Sequence, residues 1–501
     1  MNEIETALAH AELAARQLTR AEHGAALESL ATALRLAPGV PALWTQFAGL
    51  MRYFNLRHPV PPPVRELLSR ALEHPAVDPG DLVRPISTLA LSRSPSPFEE
   101  PLLLRLMEDV VIRDPALERL ITDTRRRMLD EALPLPVMVA IAHQCFNTEY
   151  VFDETPEERE SVDRLRHSLG SLHSYASYAA YRPLDDVNLE GTPLASLARR
   201  QVLEPREERH LAATIPAMAG AQSRVSAAVQ AQYEANPYPR WVRMQQQFTD
   251  APRAGHVRRI LVAGCGTGQH AIATAQRFPA ASVLAVDLSL ASLAYAKRKT
   301  AVSNVALGNI DYRQADILGL AGIEERFDLI ECSGVLHHLE DPFEGWRILA
   351  GLRKPGGLMR IGLYSELGRR GVVRARELIA AEGFAPDAEG IRACRAALRA
   401  RADDELLGRI VRNEDFYSMS GCRDLLFHVQ EHRFSLPQIR AMLERLGLKV
   451  LELEFPDSGE TLARYQARFP HDPTALDLEN WHRLEQEFPD TFARMYQFWV
   501  C

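Results

Sequence analysis

A length of 501 residues, 46% of them hydrophobic, leaves room for two or three domains with substantial cores, so the chain needs no covalent staples to fold. A formal net charge of -8 excludes bulk attraction to nucleic acid, since the basic clusters are short, Arg125-Arg126-Arg127 being an example. Six dispersed cysteines without a C-x-x-C pair exclude a disulfide framework and a zinc knuckle, and the absence of a signal-like start or a long apolar run predicts a cytoplasmic protein with no membrane partner.

The first fifty residues carry apolar side chains three and four apart, the pattern of amphipathic helices. Ala26, Leu30, Ala33 and Pro38, followed by Trp44, Phe47 and Ala48, resemble the small and large positions of a tetratricopeptide (TPR) helix–turn–helix repeat. The resemblance ends after Met51, where Pro59, Pro61, Pro62 and Pro63 are expected to break a further partner helix. Residues 1–60 are therefore read as a TPR-like segment and 61–245 as an α-helical domain. Its expected helices are Val64–Glu73, Pro101–Val111, Pro115–Leu129, Val137–Phe146, Glu157–Ser168 and Pro216–Tyr233. The aromatic stretches Gln144–Phe152 and Tyr175–Tyr181 are expected to pack inside this domain.

At Arg258 the texture changes to short apolar runs alternating with helical segments: Ile260–Ala263, Ser282–Val286, Ile310–Gln314, Phe327–Cys332 and Leu358–Leu363 predict the strands of a doubly wound α/β sheet. The first strand runs into Gly264-Cys265-Gly266-Thr267-Gly268 and then a helix, where close-approaching backbone and free N–H groups can hold a ligand. The second ends at Asp287, which can accept both hydroxyls of a ribose, a spacing that serves a dinucleotide or an adenosyl sulfonium equally. The third ends at Asp316-Ile317, and the fourth runs through Ser333-Gly334 into Val335-Leu336-His337-His338-Leu339.

With Lys354-Pro355-Gly356-Gly357 before the fifth strand, these motifs in this order resemble the class I S-adenosylmethionine (SAM) dependent methyltransferases of the small-molecule type. The resemblance implies a Rossmann-like domain with SAM as cofactor and S-adenosylhomocysteine (SAH) as product. It implies further that Gly264, Cys265, Gly266, Thr267 and Gly268 lie at the methionine part, Asp287 at the ribose, Asp316 at the adenine with Ile317 and Leu288 flanking the ring, and Ser333 and Gly334 at the donor methyl. Upstream, Tyr238 and Arg240 follow a sharp Asn-Pro-Tyr-Pro turn and are candidates for closing over the cofactor. His337 and His338 are the candidate general bases, because imidazole titrates in the useful range.

The domain is read as 246–455, with an insertion at 365–434 expected to form a lid over the acceptor. Tyr364, Tyr417, His428, Glu431, His432 and Arg433 are the candidate acceptor contacts. His428 and His432 would share one face of a helix, but without a third ligand no metal is expected. The tail, 456–501, is read as helical, with homodimerisation through it left open. The function expected is methylation, at oxygen or nitrogen, of a peptide, protein or small-molecule acceptor; the alternative is a SAM-binding or helical-repeat scaffold without turnover. The Ala- and Arg-rich composition suggests a bacterial source.

Overall fold

Proline starts helices along the N-terminal half of the chain. Pro41, Pro62, Pro101, Pro115 and Pro156 each stand in a first turn, where the fixed φ suits the helix and the missing N–H is not needed. The computed structural model describes residues 3–93, 96–218, 223–245, 256–302, 308–455 and 459–501. They form two compact units.

The first unit draws on Met1–Arg206, Arg240–Thr249 and Tyr417–Met419, and its described residues are helical. Helices His23–Leu36 and Pro41–Met51 form the expected helix–turn–helix, in which Trp44 Nε1 donates to the Pro38 carbonyl at 2.8 Å. The proline run after Met51 does not stop helix formation: Pro62 begins helix Pro62–Glu73. Val83–Leu91 and Leu172–Ala179 are helices that periodicity did not suggest. Phe152, Tyr178 and Tyr181 are buried, and the Tyr181 hydroxyl donates to Glu158, which also pairs with the buried Arg125.

The second unit draws on Glu207–Pro239, Asp250–Phe416 and Ser420–Cys501 and is built on a seven-stranded sheet. Its strands are β1 (Arg259–Ala263), β2 (Ser282–Asp287), β3 (Ile310–Gln314), β4 (Phe327–Ser333), β5 (Arg353–Leu363), β6 (Val450–Glu454) and β7 (Tyr496–Val500), in the order β3-β2-β1-β4-β5-β7-β6. The first five pair in parallel, and β1 has β2 on one side and β4 on the other, which opens a crevice at their carboxyl ends. Buried apolar side chains fill both faces of the sheet, as in a helix-covered parallel sheet.

Three expectations are corrected here. The tail is not helical throughout: after helix Leu478–Glu487 the chain returns as β7, antiparallel to both β5 and β6, because Tyr496, Phe498 and Val500 alternate with less buried Gln497 and Trp499. The expected helix from Pro216 begins at Arg224 instead, and Ala217 pairs with Gln314 at the sheet edge; residues 219–222 of that segment lie outside the described residues, as do the expected boundaries near 246 and 456. His428 and His432 do not share a helical face, because the helix ends at Phe427 and the following segment is drawn to the sheet edge. There His432 N–H donates to the His337 carbonyl and Phe434 N–H to the Tyr364 carbonyl.

The insertion after β5 is helical, with segments Arg370–Glu382, Ala388–Arg399, Glu405–Val411 and Met419–Phe427. Its ends are tied together by a bridge between Ser365 and Phe434. Among the described residues no helix is long and apolar enough to cross a membrane.

Candidate active site

The glycine loop owes its form to packing as well as to ligand approach. A Cβ on Gly264 would meet Val335 at 2.3 Å and one on Gly268 would meet Ala296 at 2.5 Å, and both residues hold positive φ. Gly266 N–H donates to Asp287 Oδ2 at 2.8 Å, while Ser289 N–H donates to Oδ1 at 2.9 Å. Asp287 thus fixes the loop that begins one strand away, and burial raises its pKa while those N–H donors lower it. Each carboxylate oxygen retains acceptor capacity for a further donor.

Asp316 caps the 3-10 turn that begins at Ile317: Oδ1 accepts the Leu318 N–H at 3.0 Å, and Oδ2 is buried with no partner among the described residues. An unsatisfied buried carboxylate oxygen costs free energy unless a donor reaches it, and an adenine amino group is a donor of the kind it would accept. Ile317 is buried in the core beside it, and Leu288 takes a hydrogen bond from Gln314 Nε2 on its carbonyl. A Cβ at Gly334, φ +78°, would meet nothing within 4 Å. Asp287, Asp316 and Gly334 therefore fit an adenosyl ligand.

The segment ending helix Arg224–Ala235 lies against this loop. Glu234 accepts the Leu290 and Ala291 N–H groups at 2.7 and 3.0 Å, Thr267 donates to the Pro239 carbonyl, and Tyr238 donates to Asp415 at 2.7 Å. Arg240 is directed elsewhere: it lies 3.9 Å from Glu149 and over the Phe146 ring in the helical unit. Ser333 reaches the Met495 sulfur at 3.6 Å, and Cys265 is a buried thiol whose pKa burial raises well above its ordinary value.

The candidate bases and candidate acceptor contacts gather around the turn after β4. His337 Nδ1 accepts the Tyr364 N–H at 3.3 Å and its ring stacks on Tyr364 at 3.7 Å, so its remaining nitrogen, Nε2, carries the proton; that atom is buried with no partner among the described residues. His338 Nδ1 lies 2.7 Å from the Gln430 carbonyl, which assigns its proton to Nδ1 and leaves Nε2 as a lone pair. Burial holds His338 near a pKa of about 3, and pushes His337 well below its ordinary value.

His428 stacks on His338 with centroids 3.7 Å apart. Its Nδ1 accepts the Gln430 N–H at 3.1 Å, so Nε2 donates to the Tyr233 oxygen, also at 3.1 Å, and Tyr233 in turn donates to Asp424 Oδ1 at 2.6 Å. His338, Asp424 and His428 bring ligand-type atoms within 4.8 Å of one another, as a metal site would. Stacked rings, however, aim their lone pairs side by side rather than at one point, and the His428 nitrogen nearest Asp424's partner carries a proton. His428, Tyr233 and Asp424 form a hydrogen-bonded chain, and His338 joins it by stacking on His428. Tyr233 and Asp424 were not singled out from sequence, because they lie 191 residues apart and no local spacing joins them.

Glu431 is enclosed by arginines: Arg369 at 2.5 Å, Arg376 at 3.1 Å and Arg433 at 3.6 Å. The Arg369 guanidinium also lies 3.9 Å over the Tyr364 ring. His432 Nε2 lies 2.9 Å from Gln430 Nε2. Tyr417 is buried and belongs to the helical unit.

Comparison with known proteins gives a family model, described as a methyltransferase domain, matching residues 260–357. An uncharacterised Synechococcus protein is 34% identical over 209 residues, covering 40% of this chain and 49% of the relative. The ubiquinone biosynthesis O-methyltransferase of Alkalilimnicola ehrlichii is 37% identical over 113 residues, covering 22% of this chain and 42% of the relative. The chain thus spans about half the length of these curated relatives or less. Among solved structures, PKMT2 from Rickettsia typhi in complex with AdoHcy matches with a TM-score of 0.38 at 16% identity, covering 57% of this chain and 54% of that one. Magnesium protoporphyrin IX methyltransferase from Synechocystis matches at 0.29 and 14%, covering 48% and 94%.

Proposed function

We propose, from the premise that this chain carries a class I SAM-dependent methyltransferase domain, that the protein methylates an acidic hydroxyl of a small-molecule acceptor. The observation that carries the reading is the polar cluster of buried His338, His428 and Asp424 with half-buried Tyr233 beside the crevice. A proton-handling group there is what a hydroxyl acceptor requires.

SAM, when bound, supplies an electrophilic methyl: its S–CH3 bond breaks as the new O–CH3 bond forms, SAH leaves, and the hydroxyl proton must go to a base. Asp287, Asp316 and the glycine loop bind and orient the donor. Between the twin histidines, His338 holds the available lone pair and is the proposed base, whereas His337 has its Nδ1 occupied and positions the turn. Asp424 lies within Coulombic reach of His338 and supports the imidazolium once it forms. A base held near 3 is weak, which favours a phenol or enol over an aliphatic alcohol. The names of the O-methyltransferase relatives support oxygen as the acceptor atom.

The test is to incubate the protein with methyl-labelled SAM and a cell extract, then separate macromolecules from small molecules. Label in the small-molecule fraction that alkaline hydrolysis does not release is expected. Label in protein would overturn the small-molecule reading and turn attention to peptide mapping; no transfer at all would leave a SAM-binding scaffold.

A further inference from the structure

The arginines around the buried Glu431 carboxylate are in surplus. Among the described residues, three guanidiniums lie within 4 Å of this one carboxylate, and none of them has another ion-pair partner. Arg369 donates to it through both Nε and Nη2. Arg376 gives it one hydrogen bond, touches the Leu425 carbonyl at 3.5 Å, and leaves its Nε buried without a partner. Arg433 makes no hydrogen bond to a described side chain, and its side chain is one-third exposed. Crowding and burial depress the Arg376 pKa, with Arg369 and Arg433 among the causes. Asp424 lies within Coulombic reach of Arg369 and Arg376, so two carboxylates face three guanidiniums and one positive charge remains in excess.

Glu431 and Arg433 stand on the segment that holds the twin histidines, where Gln430 bonds His338 and His432 bonds the His337 carbonyl. Arg369, at the N-cap of helix Arg370–Glu382, and Arg376, within that helix, reach Glu431 from the other side of the gap. Excess, partly buried donors of fixed planar geometry beside a proton-accepting ring call for an oxyanion, which guanidiniums bind through paired hydrogen bonds. We infer that Arg376 and Arg433 anchor an anionic group, a carboxylate or a phosphate, on the acceptor, with Arg369 and Glu431 as the fixed frame of that site. The inference rests on the methyltransferase reading and adds the charge class of its acceptor.

Calorimetric titration of the full-length protein, with and without SAH, tests it with three probes: benzoate, inorganic phosphate and the neutral benzamide. Saturable binding of benzoate or phosphate is expected, with no binding of benzamide, and the tighter anion identifies the oxyanion. Arg433→Gln, a partly exposed position whose loss should spare the fold, and Arg376→Gln are each expected to weaken the anion at least about 10-fold while SAH affinity stays unchanged. Absence of saturable anion binding up to about 10 mM, or binding that both variants leave intact, overturns the inference. Failure of SAH to bind would instead sink the methyltransferase reading, and the anion titration without SAH would still be read independently.

Discussion

At the scale of single residues, the proposed SAM site turns on a carboxylate oxygen that the described residues leave unsatisfied. Asp316 Oδ1 serves the backbone, and Oδ2 waits, buried, for an outside donor. Asp316→Asn keeps the shape and one acceptor but places a donor or a weaker acceptor toward the adenine. Loss of a charge-assisted hydrogen bond predicts SAM affinity lower by roughly 10- to 100-fold, with thermal stability changed little; calorimetry on the variant checks both. The histidines make a prediction in pH. His428, held to about 4, and His338, near 3, stay neutral in the folded protein where an unfolded histidine already binds a proton below about pH 6.5. Depressed folded-state values mean stability that is present above the unfolded pKa and lost as pH falls toward the folded one. Each ring then costs up to about 1.4 kcal/mol per pH unit in that window. The unfolding free energy of the native chain minus that of His428→Gln should therefore shrink between pH 6.5 and 5 in urea titrations; a constant difference would show that His428 titrates normally.

At the scale of elements, the parallel strands were legible because each is a short apolar run buried on both faces, as in Ile260-Leu261-Val262-Ala263. The glycine loop, Asp287 and Asp316 were legible because each stands at a strand's carboxyl end. What escaped was nonlocal. Tyr496–Val500 offers only five alternating residues beside a helical segment, and its place between β5 and β6 depends on edges contributed from some fifty and more than a hundred residues earlier. The polar cluster escaped for the same reason: Tyr233, His338 and Asp424 belong to three elements that meet only in the fold. The insertion was read from the gap between β5 and the next helix, and a bridge between Ser365 and Phe434 joins the two sides of that gap. β7 also makes a prediction. Tyr496 donates to the buried Glu485, which also accepts from Ser365, and removal of 496–501 would leave that carboxylate without one donor and expose the edges of β5 and β6. Unpaired edges template aggregation, so the truncated chain should be recovered mainly as insoluble protein, whereas Trp499→Phe, which keeps the strand, should stay in solution.

At the scale of the whole molecule, the chain divides its residues between a helical unit and a sheet unit, and the residues that fit an adenosyl ligand belong to the second. A ligand that binds only the folded sheet unit stabilises it by mass action: SAH at about 100 times its dissociation constant adds roughly 2.7 kcal/mol. A glycine loop with an acidic residue at the end of β2 is compatible with a dinucleotide too, so the discrimination rests on Asp316 and on what the crevice accepts at the end of β4. Scanning calorimetry of the full-length protein should show an upward shift of an unfolding transition with SAH and none with NAD. Asp316→Asn should reduce the SAH shift, while Arg240→Ala should keep it, because Arg240 is committed to Glu149 and Phe146 rather than to the loop. A shift with NAD instead would return the domain to the dinucleotide-binding class. A shift with SAH that Asp316→Asn leaves whole would mean that the adenine is held by groups other than this carboxylate.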